Sequence, residues 1–241
     1  MDRSMSVTAV LDRLRGGLVV SVQAYAESLL NTPETIALLA RCAVENGAVG
    51  VRIEGVRRIA AVRAVVAVPI VGIIKCAHPG FDPYITTTRD EIAAVAEAGA
   101  EIVAFDATER TRFGGASVRD LIDAAHAAGL VAMADCAIEA DAAAAIAAEA
   151  DLVATTLAGY TPGSRGRELP ALDLLTWIAR RHPFPICEGG VGDPAAASAA
   201  FAAGARAVVV GTAITNVDAL VRRFVAIAPR ARIGAAELPS T

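Results

Sequence analysis

Eight short apolar segments, each followed by a helix-forming stretch, predict an α/β protein folded as a closed (β/α)8 TIM barrel. Three observations support this. The apolar, β-branched runs recur from residue 18 to residue 210 with a helical pattern between them. Strands alternating with helices form a parallel sheet, and eight such units close it into a ring. The length of 241 residues suits one such barrel. No G-x-G-x-x-G follows the first run, which counts against the alternative, an open doubly wound sheet. The expected organisation is a single barrel domain over 1–241, with an N-terminal lead-in over 1–15 and a C-terminal tail over 229–241.

Residues 8–15 have the pattern of a short amphipathic lead-in helix, and residues 18–23 read as the first strand. Thr32 and Pro33 are an N-cap and first-turn pair, and Asn46-Gly47 is a helix stop. The second strand is expected over 49–53, a helix through about residue 67, and the third strand over 70–75. A long loop over 76–87 contains Pro79, Gly80 and Pro83. A helix then starts near Thr88 and ends at Gly99. The remaining strands are expected over 101–105, 130–134, 152–155, 184–187 and 206–210. The helices between and after them start at Ser117, Glu139, Pro170, Asp193 and Asn216. The loop after strand six, 158–168, is glycine-rich and basic.

The hydrophobic fraction of 55% is high, but it reflects buried strands and alanine-rich helices rather than a membrane span. The longest apolar run, 64–74, is interrupted by Pro69 and falls well short of the roughly 20 residues a spanning helix needs. The charged N-terminus has no secretory h-region, so the expected location is the cytoplasm. A net charge of −4 and 4% aromatic residues give neither the basic stripe nor the stacking surface of a nucleic-acid binder. Cys42, Cys76, Cys136 and Cys187 form no CxxC pair and are expected as small buried hydrophobes. His78, His126 and His182 are scattered, the last two with surface roles expected, so no metal site is expected.

Barrel active sites lie at the carboxyl ends of the strands. Those ends deliver Gln23, Arg52, Lys75, Asp106, Asp135, Thr155-Thr156, Glu188 and Gly211-Thr212. A lysine closing the apolar run 70–74 would be costly if buried, so a place at the mouth is expected. Gly189, Gly190, Gly211 and Thr212 follow strands seven and eight, where barrels often bind phosphate through backbone N–H groups. Strands three and seven stand four apart in a ring of eight. Lys75 and Glu188 therefore face each other, the arrangement for taking a proton from one face of a carbon and returning it to the other. The bland reading is a structural salt bridge between them.

With these residues in place the chain resembles the N-acetylmannosamine-6-phosphate 2-epimerase family, phosphate-binding barrel enzymes of sialic acid catabolism. The resemblance covers residues 14–227. It rests on Gly16-Gly17-Leu18-Val19-Val20-Ser21-Val22-Gln23, Gly72-Ile73-Ile74-Lys75, Tyr84-Ile85-Thr86, Asp106-Ala107-Thr108 and Met133-Ala134-Asp135. It rests further on Thr155-Thr156-Leu157-Ala158-Gly159-Tyr160-Thr161-Pro162, Cys187-Glu188-Gly189 and Val209-Val210-Gly211-Thr212-Ala213-Ile214-Thr215. It implies a cofactor-independent isomerase with Lys75 as principal acid/base and Glu188 as its partner. By the same resemblance Gln23, Arg52, Asp106, Asp135 and Tyr160 hold the sugar and the loops after strands seven and eight the phosphate. The implied partner is a small phosphosugar, with no nucleic acid, no membrane and a homodimer as candidate assembly. The chain departs from the family pattern at Cys76-Ala77-His78, at Gly190, and at Asn216-Val217, where an arginine and a proline are usual. Arg165 and Arg167 are the expected replacements for that arginine. Two other functions fit the same residues: a lyase forming a Schiff base on Lys75, and a non-catalytic phosphosugar-binding barrel.

Overall fold

Eight parallel strands close on themselves in sequence order in a computed structural model that describes residues 6–229. They are β1 (Gly17–Val22), β2 (Gly50–Glu54), β3 (Ile70–Ile73), β4 (Ile102–Asp106), β5 (Val131–Asp135), β6 (Leu152–Ala154), β7 (Pro185–Glu188) and β8 (Ala207–Val210). β8 pairs back onto β1, with Val19 opposite Val209. The expected strands are all present, each within two residues of its expected bounds. Residues 230–241, most of the expected tail, lie outside the described residues.

Side chains alternate across each strand, so residues two apart share a face. One set fills the barrel: Val19, Val71, Ile73, Ile102, Ala104, Val131, Met133, Leu152, Ala154, Ile186 and Val209. The other set, including Val20, Val51, Ile53, Val103, Phe105 and Ala132, packs outward against the helices. The helix α1 (Val7–Leu14) turns Val10 and Leu14 into the first set and closes the barrel at its amino end.

The outer ring runs α2 (Pro33–Glu45), α3 (Val56–Arg63), α4 (Arg89–Glu97), α5 (Val118–Ala127), α6 (Glu139–Ala147), α7 (Leu172–Ala179) and α8 (Pro194–Ala202), followed by the short α9 (Thr212–Thr215) and by α10 (Val217–Val225). Their starts are written in the sequence. Thr32, Thr88, Ser117 and Asp193 each accept a hydrogen bond from a backbone N–H of their helix's first turn, and Thr88 and Ser117 form capping boxes with Glu91 and Asp120. Gly72 faces outward under α3 and α4. A Cβ there would lie 2.5 Å from Val95 Cγ1 and 3.0 Å from Ile59 Cδ1, so only glycine lets these helices approach.

Three expectations change. The third strand ends at Ile73, and Lys75 lies beyond it in an isolated antiparallel bridge to Ile85. The last helix does begin where expected, with Asn216 capping α10 through Oδ1, which accepts from Ala219 N at 2.9 Å, and the short α9 precedes it. Of the cysteines, Cys136 and Cys187 are buried, but Cys42 is exposed and Cys76 half-buried. His182 is also half-buried. Its ring accepts from Phe184 N and donates to Ala150 O, tying the start of β7 to that of β6.

Candidate active site

The period of two that fills the barrel also chooses what its mouth displays. Continuing the inward set past the apolar layers gives Ser21 and Gln23, Arg52, Lys75, Asp106, Asp135, Thr156, Glu188 and Gly211. A cavity of about 710 Å³ opens at this end. Its walls include Gln23, Arg52, Lys75, Thr156, Tyr160, Glu188, Gly189, Gly190, Gly211 and Thr212. A second, more open groove of about 620 Å³ lies outside the barrel between α5 and α6, among Thr108, Ser117, Arg119 and Ala147, and holds none of the expected site residues.

The floor of the cavity is a charged cluster. Arg52 is 1% exposed and Asp135 is 0% exposed. Arg52 Nη2 donates to Asp135 Oδ2 at 2.6 Å, and Nη1 donates to Asp135 Oδ1 at 3.1 Å and to Glu188 Oε2 at 2.7 Å. Thr156 Oγ1 donates to Asp135 Oδ1 at 2.6 Å and lies 3.3 Å from Glu188 Oε2. Burial opposes the guanidinium charge, but Asp135 and Glu188 outweigh it and hold Arg52 protonated. Glu188 goes the other way. Burial, with Asp135 adding to it, raises its carboxyl from the usual 4.5 to about 7 against the attraction of Arg52 and the Thr156 hydrogen bond.

Lys75 stands across the mouth from Glu188, at the end of a strap formed by residues 76–88. Two backbone hydrogen bonds, from Cys76 N to Tyr84 O and from Thr86 N to Ile74 O, flank its bridge to Ile85. Thr86 adopts φ 45°, unfavourable for a β-branched residue, and is held there by its hydroxyl accepting from Ile74 N at 3.1 Å. The Lys75 ammonium has no hydrogen bond or ion pair among the described residues and lines the cavity. Its surroundings are desolvated and Arg52 is nearby, so its pKa lies below the usual lysine value although Glu54, Glu188 and Asp135 pull it back. The salt bridge that the bland reading required is absent: Glu188 pairs with Arg52.

Gln23 reaches the cavity with Nε2 donating to Ser21 Oγ at 2.7 Å, while its Oε1 is buried and unpartnered. Gly189 and Gly190 adopt positive φ of 97° and 73°. A Cβ on Gly190 would lie 2.3 Å from Leu169 Cβ, which accounts for a glycine where the family pattern has a larger residue. Short α9 begins at Thr212, and its last residue, Thr215, donates through Oγ1 to Ser21 O at 2.7 Å, fixing the loop after β8 to β1.

Not every expected residue reaches the cavity. Asp106 has the inward parity, yet its carboxylate accepts from Thr108 N, Thr108 Oγ1 and Arg110 Nη2, and its N–H donates to Ile85 O. The strap lies over it and leaves it 1% exposed, so it shapes the turn after β4 instead of lining the cavity. Asp135 also sits behind the wall and acts through Arg52. Arg165 does not line the cavity, and Arg167 is engaged by Glu139 and Asp173. A further cation in the cavity wall is Arg223 of α10, unpaired among the described residues and beside Asn216. Nothing near Asn216 in the sequence marks it. It is reached only because residues 216 and 223 are two turns apart on one helix face.

A family model described as "Putative N-acetylmannosamine-6-phosphate epimerase" matches residues 36–229. The chain belongs to this family. It is 46% identical over 216 residues to a protein of Thermosynechococcus vestitus named "Putative N-acetylmannosamine-6-phosphate 2-epimerase", covering 89% of this chain and 94% of that one. A similarly named protein of Yersinia pseudotuberculosis is 43% identical over 206 residues, covering 86% of this chain and 87% of that one. Among solved structures, the N-acetylmannosamine-6-phosphate 2-epimerase of Clostridium perfringens superposes with a TM-score of 0.86 at 35% identity, over 90% of this chain and 96% of that one. A thiamine phosphate pyrophosphorylase of Pyrococcus furiosus, 15% identical with a TM-score of 0.57, shares the fold alone. The epimerase-family barrel is thus the frame in which Lys75, Glu188 and the two glycine loops are read.

The raised Glu188 pKa has a consequence for stability. Its folded value of about 7 exceeds its ordinary 4.5, so between these the folded state holds the proton more tightly. The group's contribution is therefore complete below about pH 4.5 and is lost as pH rises through about 7. In urea unfolding at pH 5 and pH 8, wild type should lose stability relative to Glu188→Gln at the higher pH. A difference that stays constant across this range would show that Glu188 titrates normally.

Proposed function

We propose that this chain inverts C2 of N-acetylmannosamine 6-phosphate to give N-acetylglucosamine 6-phosphate, a step of amino-sugar catabolism, by proton abstraction and return between Lys75 and Glu188. The observation behind this reading is the opposition of these two groups across one cavity, their proton affinities shifted toward each other. Family membership supplies the substrate class.

The open-chain sugar has an aldehyde at C1, which acidifies the hydrogen on C2. One group removes that proton, the electrons move into an enolate, and the other group protonates C2 from the opposite face. In one direction the reaction starts from neutral lysine and protonated glutamate, in the other from ammonium and carboxylate. These two states differ only in where one proton sits, so burial that brings the two affinities together favours turnover both ways. Proton transfer needs no redox group. Arg52 fixes the Glu188 carboxylate and keeps a positive charge below the developing enolate. Gln23 Oε1 offers an acceptor to a sugar hydroxyl or amide N–H, and Tyr160 forms part of the wall. Gly189, Gly190, Gly211 and Thr212 bring backbone to the phosphate, and Arg223 supplies charge beside them.

The reaction should appear in proton NMR with N-acetylmannosamine 6-phosphate in heavy water as loss of the C2 hydrogen signal with formation of the second epimer. Lys75→Ala should abolish both, and unimpaired turnover in that variant would reject the assignment. Glu188→Gln should slow inversion by about 10²–10⁴-fold while exchange into one epimer persists. Borohydride should trap no sugar on Lys75; a covalent adduct would instead support the lyase.

Arg223→Ala should raise KM for the phosphosugar about tenfold with kcat nearly unchanged, as expected for loss of one charge contact to a dianion. An unchanged KM would remove Arg223 from the phosphate site.

A homodimer belongs to the same reading. Among the described residues α10 has no fully buried side chain and exposes Val217, Val221, Phe224 and Val225, a face a second copy would cover. Sedimentation should give twice the chain mass, and a single monomeric species at micromolar concentration would count against it.

A further inference from the structure

We propose that Cys76, His78 and Glu91 form a binding site for one zinc ion that fastens the strap beside Lys75 to the start of α4. Their donor atoms all lie within 4.8 Å of one another, and all three residues are half-buried. They are the one group of three potential ligands of this kind among the described residues. The fold assembles them: Cys76 and His78 open the strap, and Glu91 arrives from the first turn of α4, thirteen residues on from His78.

Each member is held by something other than its donor atom. Cys76 is placed by its N–H on Tyr84 O at 2.9 Å. The His78 ring stacks on Phe113, with centroids 4.0 Å apart and planes 5° from parallel, and Phe81 packs edge-on against the same phenylalanine. Glu91 is fixed through Oε2 alone, which accepts from Thr87 N at 2.6 Å and Thr88 N at 3.0 Å. The capping box thus leaves Oε1 available.

The donors are unsatisfied by one another. No hydrogen bond joins Cys76, His78 and Glu91, and His78 Nε2 is buried without any partner among the described residues. A buried ring nitrogen without a partner is unfavourable. A metal ion bound by a thiolate, an imidazole and a carboxylate would relieve this. That donor set suits zinc and excludes magnesium and calcium, which take oxygen ligands. Tetrahedral zinc holds such donors roughly 3.3–3.8 Å apart, so small side-chain rotations suffice, with water as the fourth ligand. Binding would convert the Cys76 thiol to thiolate and release its proton. The ion takes no part in proton transfer at the sugar. It would join the two ends of the strap, and the site does not depend on the epimerase assignment.

The test is zinc titration of the full chain under a non-thiol reductant against a chromophoric chelator, repeated with cobalt(II). Wild type should bind one zinc per chain at micromolar or lower free zinc. The cobalt form should show a thiolate-to-metal charge-transfer band. Zinc should raise Tm and slow amide exchange in residues 76–88. Cys76→Ser and His78→Ala should each weaken binding by at least about 100-fold, while Cys42→Ser, which alters an exposed cysteine elsewhere, should leave it unchanged. Circular dichroism of the variants separates loss of the site from loss of the fold. Absence of stoichiometric binding, or binding that survives both ligand substitutions, overturns the proposal.

Discussion

One guanidinium under the barrel mouth organises the rest of the site. Arg52 is almost wholly buried, and a lone buried cation would be strongly unfavourable. Asp135 answers it with both carboxylate oxygens, and Glu188 shares the same Nη1. β2, β5 and β7 are thereby tied together at their carboxyl ends by charge as well as through the closed sheet. Burial of Glu188, with the neighbouring Asp135 charge adding to it, outweighs the attraction of Arg52. That burial brings its proton affinity up to the range where a carboxyl can act as acid or base. Replacing the pair by apolar side chains would remove this tuning even if stability were preserved.

Much of the architecture is legible before any coordinates. Thr32, Thr88, Ser117 and Asp193 announce their helices because a short polar side chain before an apolar periodic run has few other uses there. The alternation along each strand, counted outward from the apolar layers, accounts for most of the mouth residues, whereas the choice of Thr156 over its neighbour Thr155 comes from the structure. Asp106 shows where this counting stops. Parity is a property of one strand, whereas exposure depends on what lies above it, and the Lys75–Ile85 bridge that covers Asp106 has no periodic signature.

Long-range placement of flexible cations was not legible either. Arg167 has the same chemistry as Arg223, but Glu139 and Asp173 hold it on the outer wall. Arg223 reaches the cavity wall from α10, whose first turn is capped by Asn216. The three donors beside Lys75 were hidden for a related reason. Metal motifs are recognised by close spacing, and Glu91 is a neighbour of Cys76 only in space.

The two groups proposed to share the proton are anchored to different depths of the molecule. Glu188 belongs to a regular strand, and its carboxylate is bonded to the buried arginine, so it can leave its position only when the barrel itself opens. Lys75 is past the end of its strand, on a narrow antiparallel strap with a strained threonine at its far side. Such a strap can detach while the eight-stranded ring stays closed. Of the two groups proposed to share the proton, one is thus held by the barrel itself and the other by a local segment. The assembled pair lasts only as long as the strap stays docked.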